Sequence, residues 1–133
     1  MKKSLLGLSL RISREKLPLH PEIKHFLHYS FIIQNNKIVE WATNNRHHHP
    51  IHYGYNKNNT DPDFVPKGHS EINAYKRARG LLDKDKPFDI INIRLSKKKE
   101  IRLSKPCVGC FDLLKELGCR RFYYSSPIGF LSC

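Results

Sequence analysis

The chain has 133 residues, with 24 Lys and Arg against 12 Asp and Glu, a formal charge of +12. That length supports one core and is too short for two, and no apolar run approaches a membrane span. An excess of positive charge this large favours a polyanionic partner, nucleic acid above all. It is densest at the two ends of the chain and around Lys97-Lys98-Lys99, Arg102 and Lys105. The competing reading is a soluble protein whose lysines are solvated surface.

Met1-Lys2-Lys3 followed by Leu5 to Leu10 faintly imitates a signal peptide. The apolar stretch is short, Arg11 interrupts it and no small-residue cleavage site follows, which reads as a mature cytosolic N-terminus. Leu5, Leu6, Leu8, Leu10, Ile12 and Leu17 are compatible with a short amphipathic helix, although their alternation also fits a strand; Pro18 and Pro21 end it. His28 to Gln34 and Lys37 to Thr43 read as a hairpin about Asn35-Asn36, a two-residue turn of the positive-φ type. Trp41 is expected in the core beside it.

Residues 44–68 are rich in Asn, His, Tyr and Pro and carry no periodicity. A connection this long in a small domain is usually functional or disordered. His47-His48-His49, His52, Tyr53 and Tyr55 either stack on the bases of a strand or belong to a surface lid. A second metal site at the three histidines is disfavoured, because adjacent loop residues rarely converge on one ion.

A helix is predicted from His69 to about Leu82, where Ile72, Tyr75, Ala78 and Leu82 recur at near-helical spacing. Phe88 to Leu95 reads as a buried strand, Lys97 to Glu100 as a turn, and Ile101 to Ser104 as the approach to the next helix. That helix runs from about Cys107 to Leu117 and stops at Gly118, in the usual C′ position. Arg120 to Ser125 is another strand, and Pro127-Ile128-Gly129 turns the chain into a last short strand, Phe130 to Cys133. The order is that of an α/β layer with a mixed sheet of about five strands and helices on both faces.

Two motifs carry chemistry. Gly68-His69-Ser70-Glu71 contains H-x-E at one predicted helix start, and Pro106-Cys107-Val108-Gly109-Cys110 is P-C-x-x-C at another. Cysteines spaced i, i+3 lie on one face of a first turn. Pro106 suits a helix start because its missing N–H would be unpaired there anyway. A helix N-terminus lowers thiol pKa, and thiolate is the form that binds metal. One His and two Cys leave a fourth tetrahedral position open, as catalytic zinc requires, and Glu71 stands two residues past the histidine to move protons. Either half alone is weak, since P-C-x-x-C also occurs in zinc fingers and redox pairs; the ordered combination is strong. With two cysteines so used, Cys119 is left as a small buried hydrophobe and Cys133 is unassigned, a usage that fits a reducing compartment.

The pair of motifs resembles the zinc-dependent nucleobase deaminases, and the element order resembles the cytidine deaminase fold from about residue 24 to the end. The resemblance implies that His69, Cys107 and Cys110 hold Zn2+, that the activated water adds to C4 of cytosine or C6 of adenine, and that Glu71 is the proton shuttle. It also implies substrate contacts from Asn44 (with Asn45 a rival, or a mere turn residue as the alternative), from the Ser70 N–H to the base carbonyl, and from the Lys105 carbonyl to the exocyclic amine. A short turn between the last two strands resembles the hairpin-ended, free cytidine deaminase-like branch, which implies cytosine. Charge then favours cytosine in single-stranded DNA or RNA. A free cytosine nucleotide such as cytidine, deoxycytidine or dCMP is the alternative, and a non-catalytic, zinc-stabilised nucleic-acid-binding protein is the third reading.

Overall fold

A computed structural model describes residues 3–16, 26–43, 70–96, 98–104 and 108–133. In chain order the elements are α1 (Lys3–Lys16), β1 (Phe26–Gln34), β2 (Lys37–Thr43), α2 (Ser70–Ala78), β3 (Phe88–Ser96), β4 (Ile101–Arg102), α3 (Val108–Glu116), β5 (Cys119–Ser126) and β6 (Gly129–Ser132). The connection 44–68, the prolines at 18 and 21 and the first two residues lie outside the described residues.

One mixed sheet organises these elements, in the order β2-β1-β3-β5-β6, with β4 pairing β3 off that path. β3 is central: it runs antiparallel to β1 and parallel to β5. The isoleucine-rich run that suggested burial is buried from Phe88 to Ile93. Side chains alternate between the faces of a strand, and the two faces have separate cores. On one face, Ile32, Ile90 and Phe122 pack beneath Ile72, Ala74 and Ala78 of α2 and Leu114 of α3. On the other, Phe31, Ile33, Ile91, Ile93 and Leu95 pack against Leu5 of α1, with Leu6, Leu10 and Ile12 partly buried.

α1 is a helix because its buried stripe recurs every four residues. Leu5, Ser9 and Ser13 are all buried, and each serine hydroxyl donates to the carbonyl four residues back, Ser9 Oγ to Leu5 O (2.7 Å) and Ser13 Oγ to Ser9 O (2.9 Å). The leucine alternation that also fitted a strand is incidental to this stripe. The hairpin turn is as expected: Asn35 and Asn36 have φ of 54° and 59°, the left-handed pair of a type I′ turn. Trp41 is half-buried, stacked on Phe31 with ring centroids 5.9 Å apart.

Two boundaries differ from the sequence expectation, and the stop at Gly118 agrees with it. α2 ends at Ala78 rather than near Leu82, because the following segment is held in a tight turn by Gln34. Gln34 Nε2 donates to Asp83 O (2.9 Å), and its Oε1 accepts the Asp83 N–H (2.8 Å). Ile101–Arg102 forms a short sixth strand on β3. At Gly118, φ is +107°, a conformation that glycine adopts without strain at a helix C-terminus; its N–H donates to Lys115 O (3.1 Å).

Burial beside Asp89 pushes the Cys119 thiol up from 9.0 to about 12. Below pH 9 both folded and unfolded chains keep this proton, so it does not affect stability. Between pH 9 and 12 the unfolded chain loses the proton while the native chain holds it, so stability falls by up to about 1.4 kcal/mol per pH unit. Urea unfolding at pH 8.5 and 10.5 is expected to show this fall in the wild type and a shallower one in Cys119→Ala.

Candidate active site

The face of the sheet under α2 changes character along its length. Ile32 and Ile90 form an apolar row, and the next row is polar, with Ser30 paired to Asn92. α2 lays its first turn over this polar row, and its two first residues, Ser70 and Glu71, are both buried. Asn92 Nδ2 donates to Glu71 Oε1 (2.8 Å), Ser30 Oγ donates to Asn92 Oδ1 (2.7 Å), and the Ser30 and Ser70 hydroxyls lie 2.8 Å apart. A buried carboxylate is tolerated where hydrogen bonds replace water, and here two strands supply the network. Glu71 also suits the first turn of a helix, where the N-terminal dipole favours negative charge.

A second tie sets the tilt of α2. Asn73 Nδ2 donates to Thr43 O (2.8 Å) and Arg77 Nη1 to Trp41 O (3.1 Å), so the helix is pinned to β2 from its first turn to its last. The sequence continues from Thr43 directly into Asn44. Asn73 escaped the sequence reading because a polar residue at that helical position looks like solvated surface.

The approach to the cysteine motif is fixed by serines. β4 joins β3 through the pairs Arg94–Arg102 and Leu95–Ile101, while β5 pairs β3 up to Asn92. Ser104 and Ser125 fill the junction of these three strands. Ser104 Oγ donates to Asn92 O (2.9 Å) and accepts the Ser125 N–H (2.9 Å). Ser125 Oγ donates to Arg102 O (2.7 Å) and accepts the Arg94 N–H (3.0 Å). The residue that leads into Lys105-Pro106-Cys107 is therefore anchored to the same strand position, Asn92, whose side chain holds Glu71.

Of the expected site residues, Glu71 and Ser70 are brought together on the polar row. Cys110 is the third residue of α3 by backbone; nothing more is described of it. His69, Cys107, Asn44 and Lys105 lie outside the described residues. Along the chain, His69 immediately precedes the first residue of α2 and Cys107 the first residue of α3. Both helices pack into the core on one face of the sheet. One imidazole and two thiolates make a chemically suitable donor set for zinc. Glu71 gives its Oε1 to Asn92, in keeping with a role other than ligand.

Arg94 and Arg102 lie opposite each other, and His28 lies opposite Arg94 on the other side. All three alternate onto the face of Asn92, one row beyond it. Burial and the neighbouring Arg102 lower the Arg94 guanidinium. Elsewhere, a cleft lined by Tyr75, Arg79, Asp83, Lys86, Phe88 and Gly118 opens at the C-terminal end of α2, the end away from Glu71.

No family profile matches the chain, and no curated protein sequence matches it. Among solved structures, two of dCMP deaminase from the cyanophage S-TIM5 are similar to it, one in apo form and one in complex with dCMP and dUMP. Each has a TM-score of 0.55 and 13% identity, over 93% of this chain and 84% or 82% of the other. The fold is cytidine deaminase-like. The mixed sheet, flanked by α1 on one face and by α2 and α3 on the other, is this architecture. Its last two strands form an antiparallel hairpin, β5–β6.

Ser125→Ala removes a buried hydroxyl that joins β3 to β4. It leaves the Arg94 N–H and Arg102 O without that partner, and about 1–3 kcal/mol of stability is expected to go with it. Urea unfolding measures the loss, and Ser125→Thr is expected to restore part of it.

Proposed function

We propose that the protein is a zinc-dependent hydrolytic deaminase that converts the cytosine of a phosphate-bearing substrate to uracil. The observation that carries this reading is Glu71. Its buried carboxylate is the second residue of α2, held at 2.8 Å by Asn92, on a cytidine deaminase-like fold and two residues past His69. A zinc ion held by His69, Cys107 and Cys110 would supply Lewis acidity and lower the pKa of water. Glu71 takes a proton from the attacking water and passes it to N3 of the ring as the water oxygen bonds to C4. The remaining hydroxyl proton then returns through Glu71 to the amino nitrogen, the C4–N bond breaks, and ammonia leaves uracil behind. The first-turn N–H groups of α2, beginning at Ser70, have no partner within the helix and would meet the base carbonyl. Asn44 would contact the sugar, and the Lys105 carbonyl would accept from the amino group.

A free nucleotide of the dCMP type is the first substrate in this reading, supported by the likeness to a structure that holds dCMP and dUMP. Arg94 and Arg102, opposite one another one row beyond Asn92, also support a phosphate, because guanidinium groups bind phosphate oxygens well; Arg102 is already paired with Glu100 at 2.7 Å, a contact that a phosphate would share or displace. A cytosine-containing single strand is the second reading, favoured by the +12 charge, and reverses the order that charge alone suggested. A non-catalytic zinc-stabilised binder has no use for a carboxylate so carefully held.

The direct test is uracil formation by wild type and Glu71→Ala on dCMP, deoxycytidine and a cytosine-containing oligonucleotide. Wild-type turnover of dCMP is expected, with a loss of about 10²-fold or more in Glu71→Ala at unchanged zinc content. Turnover of the oligonucleotide alone would select the strand reading, and zinc binding without turnover of any substrate would select the binder. Arg102→Gln is expected to raise KM for dCMP about tenfold, the worth of one charge-assisted hydrogen bond, and to leave KM for deoxycytidine unchanged. Equal effects on both substrates would remove the arginine row from phosphate binding.

A further inference from the structure

The polar row under α2 has a direction. The Ser30 hydroxyl has one proton, and it goes to Asn92 Oδ1 at 2.7 Å. In the 2.8 Å contact between the Ser30 and Ser70 hydroxyls, Ser70 must then be the donor. With its oxygen facing Ser30, the Asn92 amide has only its nitrogen to turn toward Glu71, where it donates at 2.8 Å. The bonds run Ser70 to Ser30 to Asn92 to Glu71, leaving one residue of the first turn of α2, crossing β1 and β3, and returning to the next residue. All four residues are buried, none more than 7% exposed.

We propose that Asn92 and Ser30 are positioning residues for Glu71, a claim that rests on the deaminase reading. Asn92 commits Oε1 as an acceptor at 2.8 Å and so fixes the plane of the carboxylate. The carboxylate accepts only, so it takes the amide nitrogen, and Ser30 gives the amide oxygen its donor in that orientation. Packing alone does not call for this arrangement. The adjacent row on the same face is Ile32 and Ile90, and apolar residues at 30 and 92 would bury as well without desolvating an amide and a hydroxyl. The ring makes sense as a means of holding one carboxylate in one orientation, and proton transfer within a bound substrate demands such placement.

The test uses steady-state kinetics on the full chain, with rates expressed per folded, zinc-loaded protein, beside urea unfolding. Asn92→Ala is expected to lower kcat about 10²-fold with KM changed less than about twofold. Ser30→Ala is expected to lower kcat about tenfold, and Ser30→Thr, which keeps the hydroxyl, to retain most of it. A kcat for Asn92→Ala within twofold of wild type, or Ser30→Thr no better than Ser30→Ala, would overturn the proposal even if both variants were less stable. The second arm needs no activity. Shifts in the urea midpoint for Asn92→Ala and Glu71→Ala are expected to be non-additive in the double variant, and additive shifts would overturn the proposal. Absence of Glu71-dependent turnover in the wild type would instead defeat the deaminase reading, with the unfolding arm still deciding whether Asn92 holds Glu71.

Discussion

A carboxylate at a buried helix start is the constraint on which the site depends. Glu71 is 7% exposed, and an ionised group so placed needs hydrogen bonds to replace the water it has lost. Asn92 provides one from the central strand, and Asn92 is in turn set by Ser30 on the neighbouring strand. The apolar part of α2 then packs on Ile32 and Ile90 along the same face. Hydrophobic burial therefore holds α2 against the sheet, and the polar row decides where its first turn lies. A helix shifted along the sheet would set Glu71 over isoleucines.

The same strand position also anchors Ser104, which leads into the cysteine motif. Asn92 is where β5 stops pairing with β3, and Ser104 and Ser125 close the gap that this leaves. Ser104 reaches the Asn92 carbonyl, and the Asn92 side chain reaches Glu71. The two motifs are about 35 residues apart in sequence, yet the backbone and side chain of a single asparagine anchor an element next to each. Where the parallel strands β3 and β5 part, Ser104 and Ser125 bridge them to β4.

Much of this was legible in the sequence where a local rule acts strongly. Asn35-Asn36 announced its turn because few residues adopt positive φ at two successive positions. Gly118 marked the end of a helix for a similar reason, and the spacing of H-x-E singled out Glu71, which the fold buries at a helix start. The polar row was not found. Ser30 and Asn92 each sit inside an apolar strand, and such a residue looks like an interruption until the register sets the two side by side. Their signal was that interruption itself: a lone amide in Phe88–Ser96 must have a partner. β4 was read only as an approach, since a two-residue ladder leaves no periodicity. The end of α2 was set four residues too far because Leu82 packs on the core from a turn rather than from the helix. Trp41 looked like core and is half-buried on an edge strand.

The proposed deaminase chemistry requires the starts of α2 and α3 to meet as one zinc-binding site beside Glu71. X-ray absorption at the zinc edge, with metal stoichiometry, on purified wild type and Cys110→Ala tests it most directly. One zinc per chain with two sulfur donors and one imidazole nitrogen is expected in the wild type, and loss of one sulfur or of the metal in Cys110→Ala. A wild type without zinc, or with four sulfur donors, would contradict it.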